Sequence, residues 1–184
     1  VHPFIGLRVL PARYALASYL IELFDRMAPE GGARPDTRRI FEFALASLSA
    51  LQGLAPDLRL RILFELRAFE ALGLRPELRH CVRCGESCKG SGPVAFHVAD
   101  GGIVCAACAP RAEGLLSIQR GTLRVLEQAF GYELSHLPRL ALGAQSLAEA
   151  ELLRFRFQRF HVGIELRSER FLSESLRAGS GAPA

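Results

Sequence analysis

Two pairs of cysteines constrain the fold of this 184-residue chain more than any other feature. Cys81 and Cys84 form one CxxC motif, and Cys105 and Cys108 form a second after 20 intervening residues. Two sulfurs three residues apart can face one ion, and two such pairs complete a tetrahedron of thiolates, which is a ligand set typical of Zn²⁺. The spacing therefore predicts a zinc site made by these four cysteines.

The predicted zinc is structural rather than catalytic. Four thiolates close the coordination sphere, whereas a catalytic zinc keeps one position for water. In small zinc peptides the metal supplies about 10–16 kcal/mol of apparent binding free energy, more than a short hairpin gains by burying Phe96 and Val98. We therefore expect the metal to fix a small finger on the rest of the chain.

Other interpretations of these cysteines stay open. Disulfides are one, although the odd total of five cysteines and the lack of a visible signal peptide favour a reducing compartment. A redox-active CxxC pair lacks its usual strand–helix context, and an iron–sulfur cluster would use the same ligands. Cys88 is interpreted as a spare thiol that could compete with Cys84. His80 and His97 flank the motifs and are weaker candidate ligands.

Helical periodicity surrounds the cysteine-rich segment. Apolar residues recur there at three- and four-residue steps, and Asp36 and Asp57 are placed to cap helices. Ser146 and Glu149 have the spacing of a capping box, which predicts a further helix start. The expected helices cover residues 13–27, 36–51, 57–71, 122–130, a segment opening at 146, and a short stretch at 169–176.

The same periodicity predicts which side chains are buried. The third helix carries apolar residues on two faces, so we expect it to lie between neighbours. Phe157 and Phe160 are expected on the buried side of the helix that opens at Ser146. The inner face expected for the second helix consists of Ile40, Phe41, Ala44, Leu45, Leu48 and Leu51.

A short hairpin is predicted inside the cysteine-rich segment. Residues 94–98, apolar apart from His97, and the apolar residues 103–104 flank a turn that contains two glycines. The expected fold class is mainly α, a helical bundle with an inserted four-cysteine zinc-finger β-hairpin. Its parts are a bundle at residues 1–78 and 113–176, the zinc-binding hairpin at 79–112, and a disordered tail at 177–184.

Composition and motifs exclude several classes of function. A hydrophobic fraction of 49% excludes a chain that is disordered throughout, and no apolar run is long enough to span a membrane. The sequence has no phosphate-binding loop, dinucleotide fingerprint, zinc-protease motif or hydrolase nucleophile motif. His136 and His161 lack acidic or nucleophilic partners at informative spacing, and both are interpreted as structural. We therefore expect no enzyme.

Basic residues near the end of the chain are candidates for DNA contact. The formal net charge is +4, and Lys89 is the only lysine among 23 basic residues. Basic residues beside aromatic ones can hold phosphates and stack bases. The alternative, favoured for Phe157 and Phe160, is that the phenylalanines pack in the core. The candidate DNA-binding residues are Arg154, Arg156, Arg159, Arg167 and Arg170.

Several segments carry a resemblance to a known family. The sequence FELR at 64–67 and LGLRPEL at 72–78 precede the first CxxC motif, GGIVC at 101–105 opens the second, and FHVGIELRSERFL occupies 160–172. Together they resemble the RecO family of bacterial DNA repair proteins, which are recombination mediators. The placement of the cysteine motifs after LGLRPEL makes the match specific, and the resemblance runs from about residue 13 to residue 176.

The resemblance implies a fold and a role. Family members pair an N-terminal OB-fold with a helical domain that often carries four zinc-binding cysteines, here matched by Cys81, Cys84, Cys105 and Cys108. They bind single- and double-stranded DNA and work with RecR. They also engage the C-terminal tail of single-stranded DNA-binding protein, helping to load RecA without catalysis. The implied location is the bacterial cytoplasm, at the nucleoid, with no membrane partner.

One departure from the family pattern is expected. The OB-fold should precede the helical domain, and only residues 1–10 could belong to it, so we expect a chain without its OB-fold. The alternative from another functional class is a zinc-stabilised protein-interaction adaptor that does not bind DNA.

Overall fold

The computed structural model describes residues 4–28, 34–109 and 113–180. These residues form a helical bundle with a small antiparallel sheet, which confirms the predicted fold class. The helices are α1 (Pro11–Met27), α2 (Arg34–Leu51), α3 (Leu58–Ala71), α4 (Arg120–Gly131), α5 (Ala144–His161) and α6 (Ser168–Ser180), with 3₁₀ helices at Ile5–Arg8 and Leu134–Arg139. The strands are β1 (Val94–His97), β2 (Gly102–Val104) and β3 (Leu115–Ile118).

Helix α3 is the central helix of the bundle. It begins after Asp57, whose carboxylate accepts a hydrogen bond of 2.8 Å from the amide of Leu60, as the sequence predicts. It ends before Gly73, whose φ of 79° lies in the left-handed region that glycine adopts without strain. Because α3 packs against α1, α2, α4 and α5, both of its apolar faces are buried, as predicted.

Helices α1 and α6 pack against each other along much of their length. Leu172 and Leu176 of α6 are buried in this contact region. Helix α6 continues to Ser180, so residues 177–180 are helical rather than part of the predicted tail. Residues 181–184 of that tail lie outside the described residues.

The sheet has the strand order β2-β1-β3, and β1 pairs antiparallel with both neighbours. The predicted hairpin is therefore present, with Phe96 opposite Ile103. Strand β3 departs from the prediction, which places residues 113–176 in the second part of the helical bundle. A strand of four residues is too short for a clear alternation of apolar and polar side chains. Its pairing with β1 also joins segments that are distant in sequence, so the sequence pattern does not reveal it.

The inner face of α2 agrees with the prediction only in part. Phe41 and Leu45 are 62% and 40% exposed, whereas Ile40, Ser47 and Leu51 are buried. Ile40 and Leu51 are buried as predicted. Packing against α1 and α3 therefore buries part of the expected face and leaves Phe41 and Leu45 toward solvent. Helix α2 also begins at Arg34, which places Asp36 in its first turn rather than at the cap. Pro29, Gly31 and Gly32, residue types that indicate a helix stop after α1, lie outside the described residues.

The predicted capping box at Ser146 is wrong. Helix α5 begins at Ala144, after Gly143, and Ser146 lies within its first turn. The Glu149 carboxylate instead accepts hydrogen bonds from the Gln119 amide at 3.0 Å and the Thr122 hydroxyl at 2.6 Å. Glu149 thus joins α5 to the start of α4.

Within the described residues, we find no helix with the length and apolar character that crossing a bilayer requires.

Candidate metal centre and nucleic-acid surface

The structure brings the four predicted cysteines together. The Sγ atoms of Cys81, Cys84, Cys105 and Cys108 all lie within 4.8 Å of one another, and those of Cys84 and Cys105 are 3.6 Å apart. A tetrahedral Zn²⁺ with bonds near 2.3 Å separates its sulfur ligands by about 3.8 Å. All four are free thiols rather than disulfides. Their arrangement can therefore hold a metal ion with a preference for sulfur.

The other metal-ligand candidates are not part of this cluster. Among the described residues, the group that could hold an ion contains neither Cys88 nor the two nearby histidines. His97 instead directs its Nδ1 to the Asp100 carboxylate at 2.9 Å, and His80 lies 3.9 Å from Glu77. Cys88 is half-buried against the apolar core.

Backbone hydrogen bonds shape each CxxC turn. In the first, the Gly85 amide donates to the Cys81 carbonyl at 2.8 Å, with Gly85 at a φ of 77°. In the second, the Cys108 and Ala109 amides donate to the Cys105 carbonyl at 3.0 and 2.9 Å. Each turn thereby places its two sulfurs on one side, as a shared ion requires.

The first turn is joined directly to strand β2. The Val82 amide donates to the Ile103 carbonyl at 3.0 Å, and the Ile103 amide donates to the Glu77 carbonyl at 2.9 Å. Gly102 makes this approach possible, because a Cβ there would lie 2.4 Å from the Val82 side chain and 2.7 Å from the Glu77 carbonyl oxygen. The two CxxC turns are thus held at one end of the sheet.

The thiols of the cluster differ in acidity. Burial opposes ionisation of Cys81, but backbone amides of Cys105, Arg83 and Cys84 donate to its sulfur and lower its pKa to about 6. The thiol of Cys108 hydrogen-bonds to the Cys105 sulfur, and with burial and the other sulfurs this raises its pKa to about 12. Four thiolates so close together repel one another, and a divalent cation at their centre relieves that repulsion.

Aromatic contacts attach the cysteine-rich finger to the helical bundle. The ring of Phe157 in α5 lies 5.4 Å from that of Phe69 in α3 and 6.4 Å from that of Phe96 in β1, centroid to centroid. His161, one turn further along α5, stacks on Phe157 at 4.3 Å and donates from Nε2 to the Val98 carbonyl at 2.7 Å. These contacts support the structural role expected for His161.

Arg120 ties the opposite side of the finger to α4. Its guanidinium donates to the carbonyls of Cys88, Lys89 and Gly92 at 2.5, 2.8 and 3.0 Å. The loop that carries Cys88 is therefore anchored by a side chain rather than by the four-cysteine cluster.

Arg154 is not available for DNA. It is 2% exposed, and it makes a two-pronged contact with Glu151 at 2.6 and 2.7 Å. It also donates to Glu65 at 3.0 Å and to Gln158 at 2.9 Å. Because every side of the guanidinium is engaged inside the bundle, Arg154 is removed from the candidate DNA contacts.

The other four candidate arginines lie on the surface. Arg156, Arg159 and Arg167 are exposed, and the described residues offer their guanidinium groups no ion-pair partner. Arg170 is also exposed but pairs with Glu174 at 2.8 Å, one turn along α6. Three guanidinium groups thus face solvent beyond ion-pair distance of any carboxylate in the described ranges, although the charge of Arg167 still acts on the Glu22 carboxylate.

The exposure of the phenylalanines on α5 corrects the prediction in part. Phe157 is buried as expected, but Phe160 is 59% exposed and Phe155 is 45% exposed. Phe160 is displaced from the inner face because His161, four residues after Phe157, takes the inward position and stacks on it. Sequence periodicity alone did not distinguish these two neighbours.

A cleft of about 640 Å³ separates the end of α5 from the start of α6. Phe155, Ile164 and Leu166 give it apolar walls, and Arg159 and Arg170 give it two cationic groups. Gln158, Gly163, Glu165 and Glu169 complete the lining. We call it the α5–α6 cleft.

The fold and the cysteine cluster define a mainly helical protein class with an inserted cysteine-rich finger. Residues 11–170 match the family described as Recombination protein O C terminal. The chain therefore belongs to the RecO C-terminal family, which confirms the resemblance seen in the sequence.

Curated relatives agree with this assignment. The chain is 32% identical to the DNA repair protein RecO of Bacillus subtilis (strain 168) over 161 residues, which are 87% of this chain and 60% of the relative. It is 34% identical to that of Anaeromyxobacter sp. (strain K), with 95% and 67% covered, and 31% identical to that of Pelobacter propionicus, with 92% and 65% covered. The chain thus spans about 60 to 67% of the length of these relatives.

Proposed function

We propose that this chain acts in DNA repair and homologous recombination as a non-catalytic mediator, which binds DNA and partner proteins. The family match over residues 11–170 carries this proposal, because the relatives are named DNA repair proteins. The proposed partners are RecR and the C-terminal tail of single-stranded DNA-binding protein, with RecA loading as the outcome. The proposed location is the bacterial cytoplasm, at the nucleoid.

The proposed cofactor is one structural Zn²⁺ held by Cys81, Cys84, Cys105 and Cys108. The all-sulfur donor set and the separations of the Sγ atoms support this ion. When bound, it neutralises the thiolates and cross-links the two CxxC turns. Metal analysis of protein purified without chelator tests this proposal: one zinc per chain is expected, and no stoichiometric metal would contradict it.

DNA is proposed to bind mainly through Arg156, Arg159 and Arg167. Exposed guanidinium groups without carboxylate partners attract phosphates and release counterions on binding. The logarithm of the affinity should then fall linearly with the logarithm of the salt concentration. This dependence separates a mediator from a protein-interaction adaptor, which would bind no DNA even at low salt.

The test is a titration of fluorescent single-stranded oligonucleotide at several salt concentrations. Replacing the three arginines by alanine should lower the salt slope by about 2, since each phosphate contact on a single strand contributes about 0.7. Arg38→Ala on α2 is the matched control, because this exposed arginine already pairs with Glu42. No binding by the unmodified chain would favour the adaptor.

For the peptide partner, we propose the α5–α6 cleft as the docking site. An acidic peptide with an apolar C-terminal residue needs an apolar pocket beside cations. The cleft provides both, through Ile164 and Leu166 and through Arg159 and Arg170. The cleft between α1 and α2 is less suitable, since Glu22 and Asp25 line it and its described lining contains no cationic residue to offset their charge.

A further inference from the structure

The solvent side of α5 near its C-terminus combines aromatic and basic residues. At about 100° per residue, five side chains fall within an arc of about 140°. We call this the outer face of α5, and it consists of Leu152, Phe155, Arg156, Arg159 and Phe160. Leu152 is 44% exposed, so three large apolar side chains and two guanidinium groups share this surface.

Packing within the chain explains little of this face, since Phe160 contacts the His161 ring at 5.0 Å between centroids but remains 59% exposed. The core side of α5 is already supplied by Ala150, Leu153 and Phe157. Exposed apolar groups that lie side by side mark interaction sites more often than isolated ones do. Since Arg156 and Arg159 have no ion-pair partner in the described part of the chain, the face is also positively charged.

We propose that the outer face of α5 binds single-stranded DNA by stacking bases on Phe155 and Phe160, while Arg156 and Arg159 contact the flanking phosphates. This inference rests on the proposed DNA binding and adds to it the contact that distinguishes a single strand from a duplex. Aromatic side chains stack on any base, whereas arginines alone would attract both forms through their phosphates.

The spacing of the two rings fits a single strand. Phe155 and Phe160 are five residues apart, which separates them by about 7.5 Å along the helix axis and places them at opposite edges of the arc. Bases stacked in a duplex are about 3.4 Å apart and present only their edges, so neither ring can reach a base face there. A flexible strand can unstack and offer one base to each ring.

The neighbouring surface also suits a strand that continues past Phe155. Phe155 and Arg159 line the α5–α6 cleft, which leads on to Arg170. Two carboxylates lie in that cleft, and one of them, Glu169, is bound to the buried guanidinium of Arg61 at 2.5 Å. Glu165 is the remaining acidic group of its lining.

The test compares three ligands of equal length at low salt, namely a thymidine oligonucleotide, an abasic strand and a duplex. The double variant Phe155→Ala/Phe160→Ala should bind the thymidine strand about a hundredfold more weakly, about tenfold for each lost stack. Its affinity for the abasic strand and the duplex should stay within about twofold, because phosphate contacts are retained. Phe155→Tyr/Phe160→Tyr should restore binding of thymidine strands.

The matched control is Phe41→Ala, which removes an equally exposed phenylalanine from α2 and should change none of the three affinities. If the double alanine variant binds the thymidine strand normally while Arg156→Ala/Arg159→Ala does not, stacking is wrong and DNA binding stands. Equal weakening toward all three ligands would also overturn stacking. If the unmodified chain binds no strand, both proposals fail, and the face is left to a protein partner.

Discussion

At the scale of single residues, the buried carboxylate of Glu65 organises the centre of the bundle. It accepts from Arg61 at 2.7 Å through one oxygen and from Arg154 at 3.0 Å through the other. Burial opposes the charge of both arginines, but the nearby carboxylates outweigh it and raise the pKa of each guanidinium. The network is therefore charged inside the protein, where each group depends on its partners.

We expect Glu65→Gln to destabilise the protein by about 3–5 kcal/mol, because two buried guanidinium groups lose their shared counter-charge. The measurement is the free energy of unfolding in urea. Arg38→Ala is the control, since it breaks only the exposed pair with Glu42 and should leave the free energy of unfolding nearly unchanged. Similar stabilities for the two variants would show that the network does not hold the bundle together.

Arg154 shows why this network could not be predicted from sequence. Arginine is rarely fully buried, so an arginine near other arginines and phenylalanines favours a surface interpretation. The deciding partner, Glu65, lies 89 positions earlier in the chain, on another helix. The cysteines are different, because the short spacing within each CxxC motif predicted which side chains the structure brings together.

Cysteines inside and outside the four-cysteine cluster should respond differently to substitution. Cys108→Ser should abolish stoichiometric zinc and lower the thermal unfolding midpoint, since a structural site needs all four ligands. Cys88→Ser should keep one zinc per chain, because Cys88 lies outside the cluster. Zinc content and thermal unfolding are measured on both variants. Loss of zinc in the Cys88 variant alone would contradict the assignment of ligands.

At the scale of elements, α1 caps the start of α6. The Glu22 carboxylate accepts from the amides of Arg167 and Ser168, both at 2.8 Å, and so satisfies amides at the start of α6. Burial of the Glu22 carboxyl acts against its ionisation, but the hydrogen bonds from Ser168 and Arg167 outweigh it and lower its pKa. The cap thus links two elements that are far apart in sequence.

The pKa of Glu22 is lower in the folded protein than in the unfolded chain. Its contribution to the free energy of unfolding is therefore fully present above the pKa of the unfolded chain and is lost as the pH falls through the pKa of the folded protein. We expect Glu22→Gln to cost about 1 kcal/mol at neutral pH, as loss of a helix cap does. The difference in the free energy of unfolding between this variant and the unmodified protein should shrink below about pH 4, near the ordinary pKa of glutamate. Urea unfolding at several pH values measures it, and a constant difference would contradict the charged cap.

The elements themselves were largely predictable where local signals were sufficient. The Asp57 cap and Gly73 fixed α3, since both act within one turn of the helix end. Strand β3 and the role of Glu149 depend on contacts with other elements, and sequence reasoning assigned both incorrectly. Local chemistry therefore predicted helix ends that are capped locally, and failed where a distant element supplies the partner.

At the scale of the whole molecule, α5 connects the metal centre with both proposed binding surfaces. Its inner residues Phe157 and His161 hold the finger, while Phe155 and Arg159 on its outer side also line the α5–α6 cleft. An acidic peptide in the cleft and a single strand on the outer face of α5 would use these two side chains at the same time. The two ligands should therefore exclude each other.

We expect a short acidic peptide ending in phenylalanine to displace a bound thymidine oligonucleotide, raising its apparent Kd in proportion to peptide concentration. Fluorescence anisotropy of the oligonucleotide measures this displacement. The same peptide with a C-terminal alanine is the control for non-specific charge effects, because it keeps the carboxylates but loses the apolar group. Ile164→Asp, at the cleft wall, should weaken binding of the peptide more than binding of the oligonucleotide. A ternary complex in which both ligands stay bound would contradict the proposal that they share Phe155 and Arg159. The protein would then have to bind DNA and peptide at separate sites.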